Sequence, residues 1–168
     1  MSVIKWFDPA EGTTIMDPSG SGKGHWCGGH SVYRDEENGR LLMYYRVRRP
    51  REMPEDVRRG SELYLAESTD AVHFRTIWHA RKQDFGARSV EKGTLARGPG
   101  GVWRLFVSYE DEVRRRWQVD VLEADDPSSF NPARRRPFLL PEDVEFEHVK
   151  DPVFISHGGR DCLFVNYS

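Results

Sequence analysis

Three ionisable residues recur at a spacing of about sixty residues, each opening a short apolar stretch. They are His30 in Gly-Gly-His-Ser-Val, Glu91 in Ser-Val-Glu-Lys-Gly, and Asp151 in Val-Lys-Asp-Pro-Val. Two carboxylates brought into one pocket can cleave a glycosidic bond: one donates a proton to the leaving oxygen while the other activates water or stabilises the oxocarbenium charge. Glu91 and Asp151 are the candidate pair, and His30 would orient a hydroxyl or tune a carboxylate. The same residues could equally cap strand ends or pair with Lys92, Lys150 and nearby arginines. A sugar site also needs an aromatic platform, because sugar rings have apolar faces. Trp26, just before His30, is the candidate, with packing between structural units as its alternative, whereas Trp103 and Trp117 read as core. Arg46, which closes the second strand of the same unit, completes the candidate sugar contacts.

Other chemistry is weaker. Gly20-Ser21-Gly22-Lys23-Gly24 has the look of a phosphate loop, but Asp17 stands at that motif's first glycine and Gly24 replaces its magnesium-binding hydroxyl. His25, Cys27 and His30 are compactly spaced, yet a zinc site needs a fourth ligand or a water-bearing geometry that the Gly28-Gly29 turn does not guarantee. No metal and no organic cofactor is expected. Cys27 and Cys162 read as buried thiols rather than a disulfide.

The elements that must position these residues are strands. Proline and glycine punctuate the chain about every dozen residues, and between them lie short stretches rich in aromatic and branched residues. Strands are expected over 30–34, 40–46, 61–67, 74–80, 93–97, 102–109, 116–123, 152–156 and 162–167, with no long helix. Laid against itself, the chain shows one layout three times, at 30–46, 91–109 and 151–167: an apolar strand, a glycine-containing turn, and a second strand ending in an aromatic and a polar residue. Third strands correspond as well, with Glu67 over Glu123 and Phe74 over Phe130. A repeat of about sixty residues suits a four-stranded propeller blade. The reading is an all-β, antiparallel, incomplete propeller in a single domain, with blade one at about 25–85, blade two at about 86–145 and part of a third at about 146–168. Its alternative is a β-sandwich meander.

With 168 residues, 38% hydrophobic and 12% aromatic, the chain is long and apolar enough for one folded domain. Its 25 basic and 27 acidic residues nearly cancel, which removes the electrostatic case for nucleic acid binding. The arginine runs 114–116 and 134–136 have acidic neighbours and read as solvated loop faces. The amino terminus lacks a signal-peptide stretch and no run reaches membrane-spanning length, which points to a soluble, cytoplasmic protein.

Val149-Lys150-Asp151-Pro152-Val153, Ser89-Val90-Glu91-Lys92 before an apolar strand, and Ala66-Glu67-Ser68-Thr69-Asp70 followed by Phe74 resemble the five-bladed β-propeller glycosidases. These form the superfamily of glycoside hydrolase family 43 and the invertase-like enzymes, and the similarity spans roughly residues 25 to 168. The resemblance implies a five-bladed fold of which about two and a half blades are present. It also implies a carbohydrate substrate and acidic residues on inner strands. Asp151 matches the Asp of the family's Arg-Asp-Pro or Asp-Pro motifs, which stabilises the transition state or modulates the acid. Two departures stand beside it. Members carry an Asp on the first inner strand where this chain has Gly28-Gly29-His30, and relatives of family 43 draw their acid from a fourth blade. The alternative function is therefore a noncatalytic carbohydrate-binding or assembly module, a truncated propeller whose open edge a second copy of the chain would cover.

Overall fold

A computed structural model describes residues 8–58 and 60–168; the first seven residues of the amino-terminal run read for a targeting segment lie outside the described residues. The first sheet is antiparallel and in chain order, with β1 (Trp26–Asp35), β2 (Arg40–Arg48), β3 (Glu62–Ser68) and β4 (Arg75–Arg81). The second repeats the pattern with β5 (Ala87–Arg97), β6 (Trp103–Asp111), β7 (Trp117–Ala124) and β8 (Arg136–Leu139). A third pairs β9 (Val149–His157) with β10 (Arg160–Tyr167). Helical structure among the described residues is confined to short 3-10 turns, and no helix there is long and apolar enough to cross a membrane.

The burial pattern explains why these stretches become strands of stacked sheets. β4 alternates at its end, with Trp78 and Ala80 buried and His79 and Arg81 outward, as a strand with one covered face should. β2 is instead buried continuously from Leu42 to Val47, because the middle of the sheet is covered on both faces. Asn38-Gly39 turns the first hairpin with Gly39 at φ 62°, a conformation that glycine adopts without steric cost.

The three sheets fan around their first strands: β5 lies against β1 on one side and β9 on the other. The architecture is thus an incomplete β-propeller of two four-stranded blades and a two-stranded third. Between the first two blades, Leu42, Tyr44, Leu63 and Leu65 pack with Leu95, Leu105 and Val107. Between the second and third, Phe106, Val119 and Val121 meet Val149, Phe154, Leu163 and Val165. Alternation along β9 and β10 sends the neighbouring side chains the other way, so Ile155 and Phe164 are 49% and 57% exposed. Cys162 shares that outer face and is exposed, contrary to the expectation of a buried thiol; Cys27 is half-buried, and burial pushes its thiol up.

Two further differences from the sequence reading have one cause. β8 was not expected, and Arg135 is not a solvated loop residue. Asp120, buried within β7, needs a cation. Arg135 Nε lies 3.3 Å from its Oδ2 while Nη2 donates to the Phe85 carbonyl at 2.8 Å. Arg136, drawn in beside it, begins β8 and meets Glu123 at 2.7 Å.

Paired carboxylates of this kind also set the acid response. Burial pushes the Glu62 carboxyl up, but the Arg49 guanidinium hydrogen-bonded to it, with Tyr64 and His79, outweighs that and holds it below its ordinary value. A depressed carboxylate contributes stability above its unfolded value, about 4.3, and loses it as pH falls toward the folded value. Glu62→Gln is therefore expected to lower stability at neutral pH and to flatten the stability curve below about pH 4.3. Chemical denaturation across pH checks this, and a variant curve parallel to wild type would contradict it.

Candidate functional site

Each innermost strand carries the same irregularity. Gly28 to Ser31 on β1 faces Arg46 to Tyr44, Val90 to Gly93 on β5 faces Tyr109 to Val107, and Lys150 to Val153 on β9 faces Asn166 to Phe164. In every case one extra residue is inserted, a bulge that bends the strand and re-aims its side chains. Superimposing the bulges makes Gly29, Glu91 and Asp151 equivalent, followed by His30, Lys92 and Pro152.

This corrects the placing of His30 beside Glu91 and Asp151. Histidine sits one residue late, and a one-residue slip sends a side chain to another face. His30 is exposed and lines a separate cleft with Met16, Cys27, Val32, Met43 and Tyr45. The true first-blade equivalent is Gly29, at φ 62°, close to the 56° of Asp151.

Gly29 has no side chain, and Arg46 fills the room. A Cβ at Gly29 would lie 3.0 Å from Arg46 Nε. Arg46 stands opposite Gly28 on β2 and is 7% exposed. Its Nη1 donates to the Val90 carbonyl at 3.2 Å, and its Nη2 pairs with Glu91 Oε2 at 2.7 Å. The Trp26 ring rests on the backbone of Gly28, where a Cβ would come within 2.6 Å of it. The guanidiniums of Arg46 and Arg48 lie 5.5 and 5.1 Å from the ring centroid. Trp26 and Arg46 thus brace Glu91 from the first blade.

Two buried hydroxyls tie the bulges together. Tyr44 donates to the Glu91 carbonyl at 2.5 Å. Burial pushes its phenol far up; Arg46 opposes this, and the charges of Glu91 and Asp151 add to it, so both carboxylates act on this one group. Ser108 donates to the Lys92 carbonyl at 2.9 Å and accepts from the Asp151 backbone N–H at 3.2 Å, linking β5 to β9. The Asp151 carboxylate accepts from Asn166 Nδ2 at 3.4 Å. The structure therefore gathers Trp26, Arg46, Glu91 and Asp151 about the inner strands and leaves His30 apart.

Glu91 opens onto a cleft of about 370 Å³ lined also by Arg51, Arg58, Lys82, Arg88 and Trp117. Trp117, read as core, is a half-buried cleft wall with the Lys150 ammonium 5.5 Å from its ring centroid. Lys82 and Arg51 were not anticipated, because nothing local distinguishes them from other cations in a chain that is 31% charged. Among the described residues, no three His, Cys, Asp or Glu side chains are grouped to hold a metal ion.

No protein-family model matches the chain, and no curated protein matches it significantly. Solved structures do. One comes from work described as "The GH130 family of mannoside phosphorylases contains glycoside hydrolases that target beta-1,2 mannosidic linkages in Candida mannan"; it is 11% identical with a TM-score of 0.52, covering 84% of this chain and 43% of that one. A glycosyl hydrolase from Bacteroides ovatus is 16% identical with a TM-score of 0.45, covering 62% of this chain and 30% of the other. The chain thus spans less than half the length of either structure. At 11% identity the likeness to the first of these is one of fold alone.

Proposed function

We propose that the inner-strand mouth acts on a carbohydrate glycosidic bond, with Glu91 and Asp151 as the working carboxylates. The observation that carries this is their equivalence: the two occupy the same bulge position on adjacent inner strands, which Ser108 ties together through the Lys92 carbonyl and the Asp151 backbone N–H. The fold likeness to glycoside hydrolases supports the substrate class. Glu91, held by Arg46, is the charge-stabilising member. Asp151 passes a proton to the leaving oxygen as the bond from that oxygen to the anomeric carbon breaks, and water then bonds to that carbon and returns a proton to the Asp151 carboxylate. Trp26 and Arg46 serve as braces for Glu91 more than as direct sugar contacts.

A noncatalytic sugar-binding module is the second reading, and Gly29 favours it, since the first blade offers no carboxylate at the equivalent bulge. A screen of aryl glycosides against the purified chain separates the two. For a hydrolase, Asp151→Asn should lower turnover by at least about 100-fold with folding retained, and Glu91→Gln, which also strands the Arg46 charge, should lower the turnover of its folded fraction by a similar factor. Sugar binding without cleavage by the unaltered chain would establish the binding module, and turnover surviving both substitutions would remove these carboxylates from the reaction.

A further inference from the structure

The chain carries a formal net charge of −2, yet the cleft beside Glu91 concentrates cations. Arg51, Arg58, Lys82 and Arg88 face Glu55, Glu91 and Glu110 there, and the acids are already taken. Glu110 meets Arg88 at 2.7 Å, Glu55 meets Arg58 at 3.2 Å, and Glu91 meets Arg46 at 2.7 Å. Lys82 and Arg51 are left over.

Lys82 is 5% exposed, and the one acceptor that its ammonium meets among the described residues is the uncharged Glu55 carbonyl, at 2.6 Å. An ammonium has three donors, and a buried one with no carboxylate partner is costly to maintain. Arg51 is exposed and makes no ion pair or hydrogen bond among the described residues. It also borders a neighbouring cleft of about 600 Å³ whose lining includes Lys23, Arg49 and Glu52. The cleft beside Glu91, at about 370 Å³, has room for far more than a bare oxyanion, and Trp117 gives it an aromatic wall.

We propose that this cleft binds the anionic group, carboxylate or phosphate, of a charged sugar, with Lys82 and Arg51 as its cationic partners and Trp117 beside the ring. The placement sets that sugar against Glu91 and so narrows the substrate of the mouth to acidic or phosphorylated carbohydrates. A charged-sugar site presupposes that the mouth takes a sugar at all, so its test reads binding rather than turnover and the two can fail separately.

Calorimetric titration of the purified chain with glucuronate, glucose 6-phosphate, glucose and inorganic phosphate provides the test, at low and high salt. Glucuronate or glucose 6-phosphate, or both, should bind at least about tenfold tighter than glucose, with the advantage shrinking at high salt; which of them binds identifies the anion. Arg51→Ala, a change at an exposed side chain, should weaken anionic-sugar binding by about tenfold and leave folding intact. Lys82→Met should weaken it further, and Arg51→Ala decides the matter if burial makes the lysine variant unstable. Binding of glucose as tight as that of both anionic sugars, binding of neither anionic sugar, or anionic binding unaffected by Arg51→Ala would overturn the proposal. Inorganic phosphate binding as tightly as glucose 6-phosphate, with glucuronate no better than glucose, would assign the cleft to a free oxyanion and overturn the sugar-borne assignment. Anion binding that depends on Arg51 in a chain that cleaves no glycoside leaves this site standing while hydrolysis falls.

Discussion

Arg46→Met is expected to destabilise the chain by about 3–5 kcal/mol, because it strands the Glu91 charge in a nearly closed site. The two side chains are 8% and 12% exposed, so neither is rescued by solvent once the 2.7 Å pair is broken. Removing both charges should behave differently. In Arg46→Met with Glu91→Gln, the methionine keeps the arginine's inner stem in place near Trp26, and the uncharged amide costs far less to bury than a lone carboxylate. Methionine also removes Arg46 Nε, a buried donor with no hydrogen-bond partner among the described residues. The double variant should recover most of the loss but not all, since the guanidinium's bond to the Val90 carbonyl is gone and Trp26 packs on a thinner support. Urea denaturation of the two single variants and the double measures the coupling. A double variant no more stable than Arg46→Met would show that the pair contributes nothing beyond the packing of Arg46.

Most of the architecture was legible because a propeller repeats its punctuation. Short aromatic stretches broken by glycine turns, recurring at one spacing, locate nine of the ten strands among the described residues and identify which of them lie innermost. What escaped was information that period alone does not carry. β8 exists because buried Asp120 draws in Arg135, a contact between residues that no local pattern links. The His30 error is subtler. Residue type matches an ionisable residue to ionisable residues, whereas bulges align by hydrogen bonding, and by that rule Gly29 stands with Glu91 and Asp151. Glycine is invisible to a search for chemistry, and so was the consequence that Arg46 occupies its space. Trp117 reads as core from its place on a third strand, whereas its position at the start of β7 puts it on the wall of the cleft beside Lys150. Lys82 could not be singled out from sequence, because its significance lies in the absence of an acid partner, among the described residues, around a buried ammonium.

Gly93→Val should cost at least about 3 kcal/mol, for a reason of space rather than backbone conformation. Gly93 does not adopt a positive φ, so an L-residue is not excluded on torsional grounds. A Cβ there, however, would lie 2.8 Å from the Phe106 carbonyl oxygen and 2.8 and 2.9 Å from two ring carbons of Tyr44. Neither neighbour has somewhere to go: the first is ladder backbone of β6, and the second is a fully buried ring in the seam between the first two blades. Valine brings two further methyl groups into the same gap. The ring must then shift, and with it the hydroxyl that donates to the Glu91 carbonyl, so the substitution should loosen the candidate site along with the fold. Tyr44→Phe separates the two effects, since it keeps the ring and loses only that hydrogen bond, at about 1 kcal/mol. Thermal denaturation should therefore rank the unaltered chain above Tyr44→Phe and Tyr44→Phe above Gly93→Val. Gly93→Val melting with the unaltered chain would mean that β5 and the Tyr44 ring are not pressed together, and the bracing of Glu91 from the first blade would lose its physical basis.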